Sequence, residues 1–203
     1  MPLFDPTKEY ILENDIVLLR PLLETDYENL LPFALNEPEL WTFSLVSPAG
    51  ADGMKDYIAA AIDGRTKGVE YPFIVFDKRT QQYAGSTRFY DIQLHNQSMQ
   101  LGYTWYGSKF QGTGLNKNCK LLLLQFAFEE LGLVRVEFRA DNNNERSKAA
   151  MRSIGCIEEG VLRSHVATYT SVRRNSIILS ILKREWESGV RERLVEQVKK
   201  YIK

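Results

Sequence analysis

Apolar and polar positions change their period twice along this chain. Ile16-Val-Leu-Leu-Arg20 is a short apolar run that reads as a strand, stopped by Pro21. Glu24 to Leu35 has helical spacing. Leu30, Leu31 and Ala34 form its stripe, Thr25 is placed to cap it, and Glu28 completes a capping box. Asn36 to Gly50, with Pro38 and Pro48, reads as a loop or a loop with a short helix. Asp52 to Ile62 is a second short helix with Met54, Ile58 and Ile62 on one side. Tyr71–Asp77, Tyr83–Ile92 and Met99–Tyr106 then read as strands. The turns Lys78–Gln82 and Gln93–Ser98 join them into an antiparallel meander.

After Gly107 the period becomes helical. Leu115–Leu131, strongly apolar from Lys117 onward, is a helix ending at Gly132, a good C-terminal residue. Leu133–Ala140 is a strand and Asp141–Asn144 a polar turn. A helix starting at Asn144 or Ser147 runs to Gly155. Cys156–Leu162 and Asn175–Leu182 are closing strands. Lys183–Tyr201 is a charged helix anchored by Trp186, Leu194, Val198 and Tyr201. Antiparallel strands, one strand–helix–strand unit and a closing hairpin predict an α+β fold around a mixed sheet. With no repeat or linker, one domain over 1–203 is expected, 183–203 being a C-terminal helical extension.

Composition narrows the function. The chain has 203 residues, 44% apolar and 26% charged, enough for a substantial core. Acids and bases number 26 each, without the basic excess of a dedicated nucleic-acid binder. Cys119 and Cys156 have no metal-ligand spacing and read as reduced intracellular thiols, so a cytoplasmic, metal-free protein is expected. No apolar run approaches the roughly 18 residues of a membrane helix.

The segment from Tyr103 to Lys117 carries the chemistry. A strand runs through a turn punctuated by Gly107, Gly112 and Gly114 straight into the apolar helix. Such a junction aims free N–H groups and the positive end of the helix dipole at one point, which attracts phosphate. Three ligands compete. A nucleotide-hydrolase P-loop needs Lys-Ser or Lys-Thr where Thr113-Gly114 stands. A dinucleotide fingerprint needs a small residue where Lys117 stands. Coenzyme A needs turn amides for its pyrophosphate and a strand edge for its pantetheine amides. That edge exists if Met99–Tyr106 splays from Leu133–Ala140. An ordinary strand–helix turn also uses glycines, so the turn alone leaves these open.

Gln111-Gly-Thr-Gly-Leu-Asn116 resembles the acetyl-CoA loop of the GNAT superfamily of N-acetyltransferases, Gln/Arg-x-x-Gly-x-Gly/Ala, departing at Asn116. Asn144-Glu-Arg-Ser147, Ser153-Ile-Gly-Cys156, Glu159-Gly-Val-Leu-Arg163, Glu185-Trp186 and Leu101-Gly-Tyr-Thr-Trp105 are similar to the RimJ/RimL-like branch. That branch acetylates N-termini of ribosomal proteins. The resemblance spans residues 15 to 187. It implies a mostly antiparallel mixed sheet of about seven strands, flanked by helices and splayed between two central parallel strands.

It also implies an acetyl-CoA-dependent acyltransferase, with acetyl-CoA as co-substrate and no metal. Tyr103, Thr104 and Trp105 would hold the pantetheine and acetyl carbonyl, with the N–H of Thr104 or Trp105 as oxyanion donor. Gln111, Gly112, Thr113, Gly114, Leu115, Asn116 and Lys117 would cradle the pyrophosphate. Asn144 would bond the pantetheine arm, and Ser147 would lie near the thioester sulfur and assist the leaving thiolate. Many relatives carry a tyrosine where Met151 stands and a glutamate where Gln100 stands. The base is then a water chain, Glu137 or Glu158. An α-amine, about a tenth neutral at pH 7, suffers less from a missing base than a lysine.

The expected acceptor is therefore a primary amine of low pKa, a peptide N-terminus or a small molecule. It would approach over the first two helices and the Ser164–Arg174 loop, past Trp41, Phe43, Tyr71 or Tyr90. Arg88, Arg163, Arg173 and Arg174 could line the site; His95 and His165 read as surface groups. No nucleic acid or membrane is expected, and the protein is a monomer or homodimer. Two rivals are a non-catalytic acyl-CoA sensor on the same fold and a nucleotide-binding α/β domain.

Overall fold

The computed structural model describes residues 4–201. One sheet has the order β1-β2-β3-β4-β5-β6-β8-β7. Its strands are β1 (Leu12–Glu13), β2 (Val17–Pro21), β3 (Glu70–Asp77), β4 (Gln82–Gln93), β5 (Ser98–Tyr106), β6 (Arg135–Asp141), β7 (Ile157–Ala167) and β8 (Arg173–Leu182). All neighbours are antiparallel except β5 and β6. The mixed sheet matches expectation. Its strand beyond the expected seven, β1, is too short to carry a periodic signal.

The helices are α1 (Tyr27–Asn36), α2 (Gly50–Thr66), α3 (Leu115–Gln125), α4 (Glu145–Ser153), α5 (Lys183–Glu185) and α6 (Arg191–Lys199). α1 starts later than predicted, after a 3-10 turn over Glu24–Asp26. Thr25 does not cap it. The buried Asp26 carboxylate accepts the Leu23 N–H at 2.9 Å and is gripped by Arg20 at 2.8 and 2.6 Å. An ionised, desolvated acceptor outcompetes an exposed hydroxyl. α2 outruns its predicted ends because the face of Met54, Tyr57, Ile58 and Ala61 continues to the buried Gly64.

The predicted Ser164–Arg174 loop is instead the end of a β-hairpin, with β7 reaching Ala167 and β8 starting at Arg173. β7 is an edge strand exposed along nearly its whole length, so it has no apolar alternation to read. The C-terminal helix is broken by Gly189, at φ +129, into α5 and α6. Trp186, Leu194 and Val198 are buried as predicted. Residues 202–203 of the predicted extension lie outside the described residues. α3 widens into a π turn over Phe126–Glu130, where Leu131 N–H donates to Phe126 O at 2.9 Å.

The sheet is built to open. β5 and β6 share only three rungs, Ser98–Arg135, Met99–Val136 and Gln100–Glu137. β6 then stays with β8 as far as Asp141, while β5 follows β4. On β5, Tyr103 (φ +48) and Thr104 stand between the Ser86–Trp105 and Arg88–Gly102 pairs, a bulge opposite Thr87. A bulge bends its strand and raises its twist. Beyond Gln100 the two parallel strands therefore diverge.

Candidate functional site

A cavity of about 610 Å³ occupies the wedge. β5 contributes Gly102 to Tyr106 and β6 contributes Phe138 to Asp141. Gln111, Gly112, Asn116 and Lys120 come from the turn and α3, and Asn144, Ser147 and Met151 from α4.

Each wall has a local cause. Asn144 caps α4: its Oδ1 accepts the Ser147 N–H at 3.0 Å, and its own N–H donates to Asp141 O at 2.9 Å. That cap fixes Ser147 at the head of the helix. Gln111 ties the turn to both sides, donating to Tyr106 O at 2.9 Å and accepting from Arg146 Nη1 at 2.5 Å. α3 follows Gly114 (φ +85), which gives it no side-chain cap, so the positive end of its dipole lies at the turn. Asn116 Oδ1 is buried without a partner.

Eight of the sequence-predicted positions line this cavity: Tyr103, Thr104, Trp105, Gln111, Gly112, Asn116, Asn144 and Ser147. Four do not. Thr113 turns to Arg79, whose Nη1 donates to Thr113 O at 3.0 Å. Gly114 lies under Tyr201, Leu115 is in the core, and Lys117 is half-buried off the cavity wall.

Lys120 is the residue the sequence reading missed. It is buried, lines the cavity, and donates from Nζ to Thr104 Oγ1 at 2.9 Å, with the Phe138 ring at 5.8 Å. Thr104 Oγ1 also shares a hydrogen bond with Thr87 Oγ1 at 2.7 Å. Among the described residues no carboxylate acts on Lys120; the groups bearing on it are the thiols of Cys119 and Cys156. Burial lowers its pKa to about 8. Its spacing was the available signal, because it precedes the buried Leu123 and Leu124 by one helical turn.

Trp41, Phe43, Tyr57, Tyr90 and Arg174 also line the cavity. Tyr71 is not there: it is buried in the core and donates to Lys8 O at 2.7 Å. Arg88 stacks between Tyr57 and Tyr103, 4.7 and 4.4 Å from their centroids, and pairs with Glu70 at 2.6 Å. Arg173 is spent on the hairpin, donating to Ser164 O at 2.5 Å. His165 shares a hydrogen bond with Ser176 at 3.0 Å and His95 is exposed.

Neither expected base is free. Glu137 is held by Arg135 at 2.8 Å and Arg139 at 2.7 Å, and Glu158 by Arg152 at 2.6 Å. Gln100 donates to Asp91 at 2.6 Å. The carboxylates on the cavity wall are Glu39, Asp141 and Glu145. Asp141 accepts the Asn143 N–H at 2.9 Å and Glu145 pairs with Lys148 at 2.6 Å. The thiols of Cys119 and Cys156 are buried and pushed up by desolvation, Cys119 to about 12. Among the described residues no group of three or more His, Cys, Asp or Glu could hold a metal. No helix there is long and apolar enough to cross a membrane.

Comparison with known proteins agrees with this geometry. The sequence profile of the acetyltransferase (GNAT) domain matches residues 17–157. A Bacillus subtilis (strain 168) protein named as a candidate ribosomal N-acetyltransferase, YdaF, is 29% identical over 184 residues. The match covers 86% of this chain and 95% of that protein. A candidate acetyltransferase from T. thermophilus is 27% identical, with a TM-score of 0.85 over 97% of this chain and 99% of that one. Mycobacterium smegmatis RimJ, solved in complex with CoA-disulfide, shares the fold at 19% identity, with a TM-score of 0.78 over 95% of each chain.

Proposed function

The chain belongs to the GNAT acetyltransferases, and on that premise we propose that it moves an acetyl group from acetyl-CoA to a primary amine by direct attack. The acceptor is a protein N-terminus or a small-molecule amine. One observation carries this reading: the β5–β6 ladder stops after three rungs, and a single cavity runs from the uncapped head of α3 to Ser147 and Met151.

The residues present fit the co-substrate. The N–H groups of Gly112 and Asn116, which line the cavity, with the dipole of α3, suit a pyrophosphate. The β5 edge beyond Gln100 has lost its β6 partner, so it can pair with the amides of the pantetheine arm. The buried, unpartnered Asn116 Oδ1 offers an acceptor to that arm, and Asn144 stands across from it on α4. The RimJ complex holds a CoA derivative on the same fold.

The chemistry needs orientation, an oxyanion donor and help for the leaving group. Holding amine and thioester together removes several kcal/mol of barrier. The bulge at Tyr103–Thr104 interrupts the β4–β5 ladder on the cavity wall, and a backbone N–H of that segment is the donor to the developing oxyanion in this reading. Ser147 can donate to the sulfur. The acceptor enters past Trp41, Phe43, Tyr57 and Tyr90.

The test is purified protein with acetyl-CoA and a panel of peptides and amines. Thiol release that depends on the amine supports transfer. A second reading, acyl-CoA binding without turnover, is favoured by Gln100 and Met151. Tight CoA binding with no turnover across the panel would establish it instead.

A further inference from the structure

Lys120 sits on the buried face of α3 beside Cys119, Leu123 and Leu124, with 5% of its surface exposed. An ammonium in such surroundings normally has a carboxylate partner, because desolvating an unpaired charge is expensive. Here its acceptor is the Thr104 hydroxyl. The fold does not need that bond. Thr104 already shares a proton with Thr87 at 2.7 Å, and its hydroxyl also lies 3.4 Å from Gly102 O. The cation is therefore costly to the fold and placed on the wall of the functional cavity.

Resting on the acetyltransferase reading above, we propose that Lys120 is the acid of the reaction, its ammonium protonating the thiolate of coenzyme A as it leaves. The amine nitrogen forms the C–N bond to the thioester carbonyl carbon. The C–S bond breaks with its electron pair going to sulfur, and an Nζ proton passes to that sulfur. The proton shed by the acylated nitrogen returns to Nζ, so the enzyme is regenerated and coenzyme A leaves as the thiol.

The matching of acidities supports this assignment. A free thiol titrates near 8.5, and the best acid has a pKa near both the leaving group's and the working pH. Burial places Lys120 at about 8. A serine hydroxyl at position 147 can bond the sulfur, but it holds its proton far more tightly than a thiol. The titratable groups bearing on Lys120 are the thiols of Cys119 on its own helix and Cys156 before β7, both raised out of competition. Thr104 on β5, Phe138 on β6 and Met151 on α4 carry no charge.

The decisive measurement is the titration of the thiol of bound coenzyme A. It is read as thiolate ultraviolet absorbance against an identical sample holding desulfo-CoA, with binding first established by calorimetry. In the wild type the bound thiol should ionise at least tenfold more readily than that of free CoA. Lys120→Arg should keep most of this effect and Lys120→Met should abolish it. kcat of Lys120→Met, with any amine found active, should fall on the order of a hundredfold with little change in KM. A bound thiol that titrates like the free one in the wild type overturns the proposal while leaving acetyl transfer standing, and this comparison needs no variant to fold. Failure of the wild type to bind CoA at all overturns both.

Discussion

The ring of Tyr201 rests on Gly114 so closely that a Cβ added there would lie 2.3 Å from Tyr201 Cγ. Gly114 also holds φ +85, a conformation glycine adopts without penalty. The C-terminal helix thus closes over the turn at the head of α3. Gly114→Ala should lose about 2 kcal/mol or more in urea denaturation and weaken CoA binding at least tenfold by calorimetry. Adding Tyr201→Ala removes the overlap but not the backbone strain, so it should restore part of the stability. A Gly114→Ala protein as stable and as tight-binding as wild type would disprove this dependence.

Lys120 makes the opposite kind of prediction, a stabilising substitution. Desolvation lowers its pKa from 10.5 to about 8, so the folded protein binds this proton less well than the unfolded chain. The full penalty applies below pH 8, roughly 3 kcal/mol at about 1.4 kcal/mol per pKa unit. Between about 8 and 10.5 the wild type gains stability as pH rises, because only the unfolded chain still holds the proton. Lys120→Met should therefore be more stable than wild type at pH 7, by about 1 to 3 kcal/mol. Near pH 10 the two should converge. Urea midpoints at both pH values test it, and a less stable Lys120→Met at pH 7 contradicts it.

Asn144 and Ser147 separate folding from chemistry. Removing the cap in Asn144→Ala should cost about 1 kcal/mol and weaken CoA binding, because α4 loses its fixed start. Ser147→Ala keeps the backbone N–H that Asn144 bonds, so its stability should stay within about 0.5 kcal/mol of wild type. Its turnover should fall several-fold if the hydroxyl meets the sulfur. Stability curves and steady-state kinetics on the two proteins decide this. Unchanged turnover in Ser147→Ala removes the residue from the chemistry.

What the sequence disclosed depended on whether a signal was periodic. β3, α3 and β8 announce themselves because each buries a run of apolar residues, Phe73–Val75 in β3, Leu121, Leu123 and Leu124 in α3, and Ile177, Leu179 and Ile181 in β8. β7 has no buried face, and its far end read as loop. The cap at Asp26 is set by Arg20, an interaction across the strand–helix junction that no local motif encodes. Within the site, the turn and α4 were legible because glycine and asparagine have positional meaning in backbone geometry. Lys120 escaped notice because one lysine in a leucine-rich helix reads as a solvated break in the pattern. Its spacing from Leu123 and Leu124 hints at an inward position, and its bond to Thr104 on β5 establishes it.

The acceptor is constrained by what the cavity lacks. Glu137 and Glu158 are consumed by arginines, and Gln100 cannot take a proton. With Glu39 and Asp141, the carboxylates left on the wall, taking no part, the amine must arrive largely neutral from solution. An α-amine titrates near 8 and a lysine near 10.4, so at pH 7 the neutral fractions are about a tenth and about one in a few thousand. Two peptides of the same sequence, one with a free N-terminus and blocked lysine and the other reversed, should differ at least a hundredfold in kcat/KM at pH 7 on these populations. With Lys120 as an acid of pKa about 8, kcat/KM for the N-terminal acceptor should climb about tenfold per pH unit to a maximum near pH 8 and then fall, whereas for lysine it should flatten above pH 8 without falling by pH 9. Equal rates for the two peptides at pH 7 would mean that a carboxylate of the cavity, Glu39 or Asp141, removes the proton. Glu39→Gln and Asp141→Asn would then identify which.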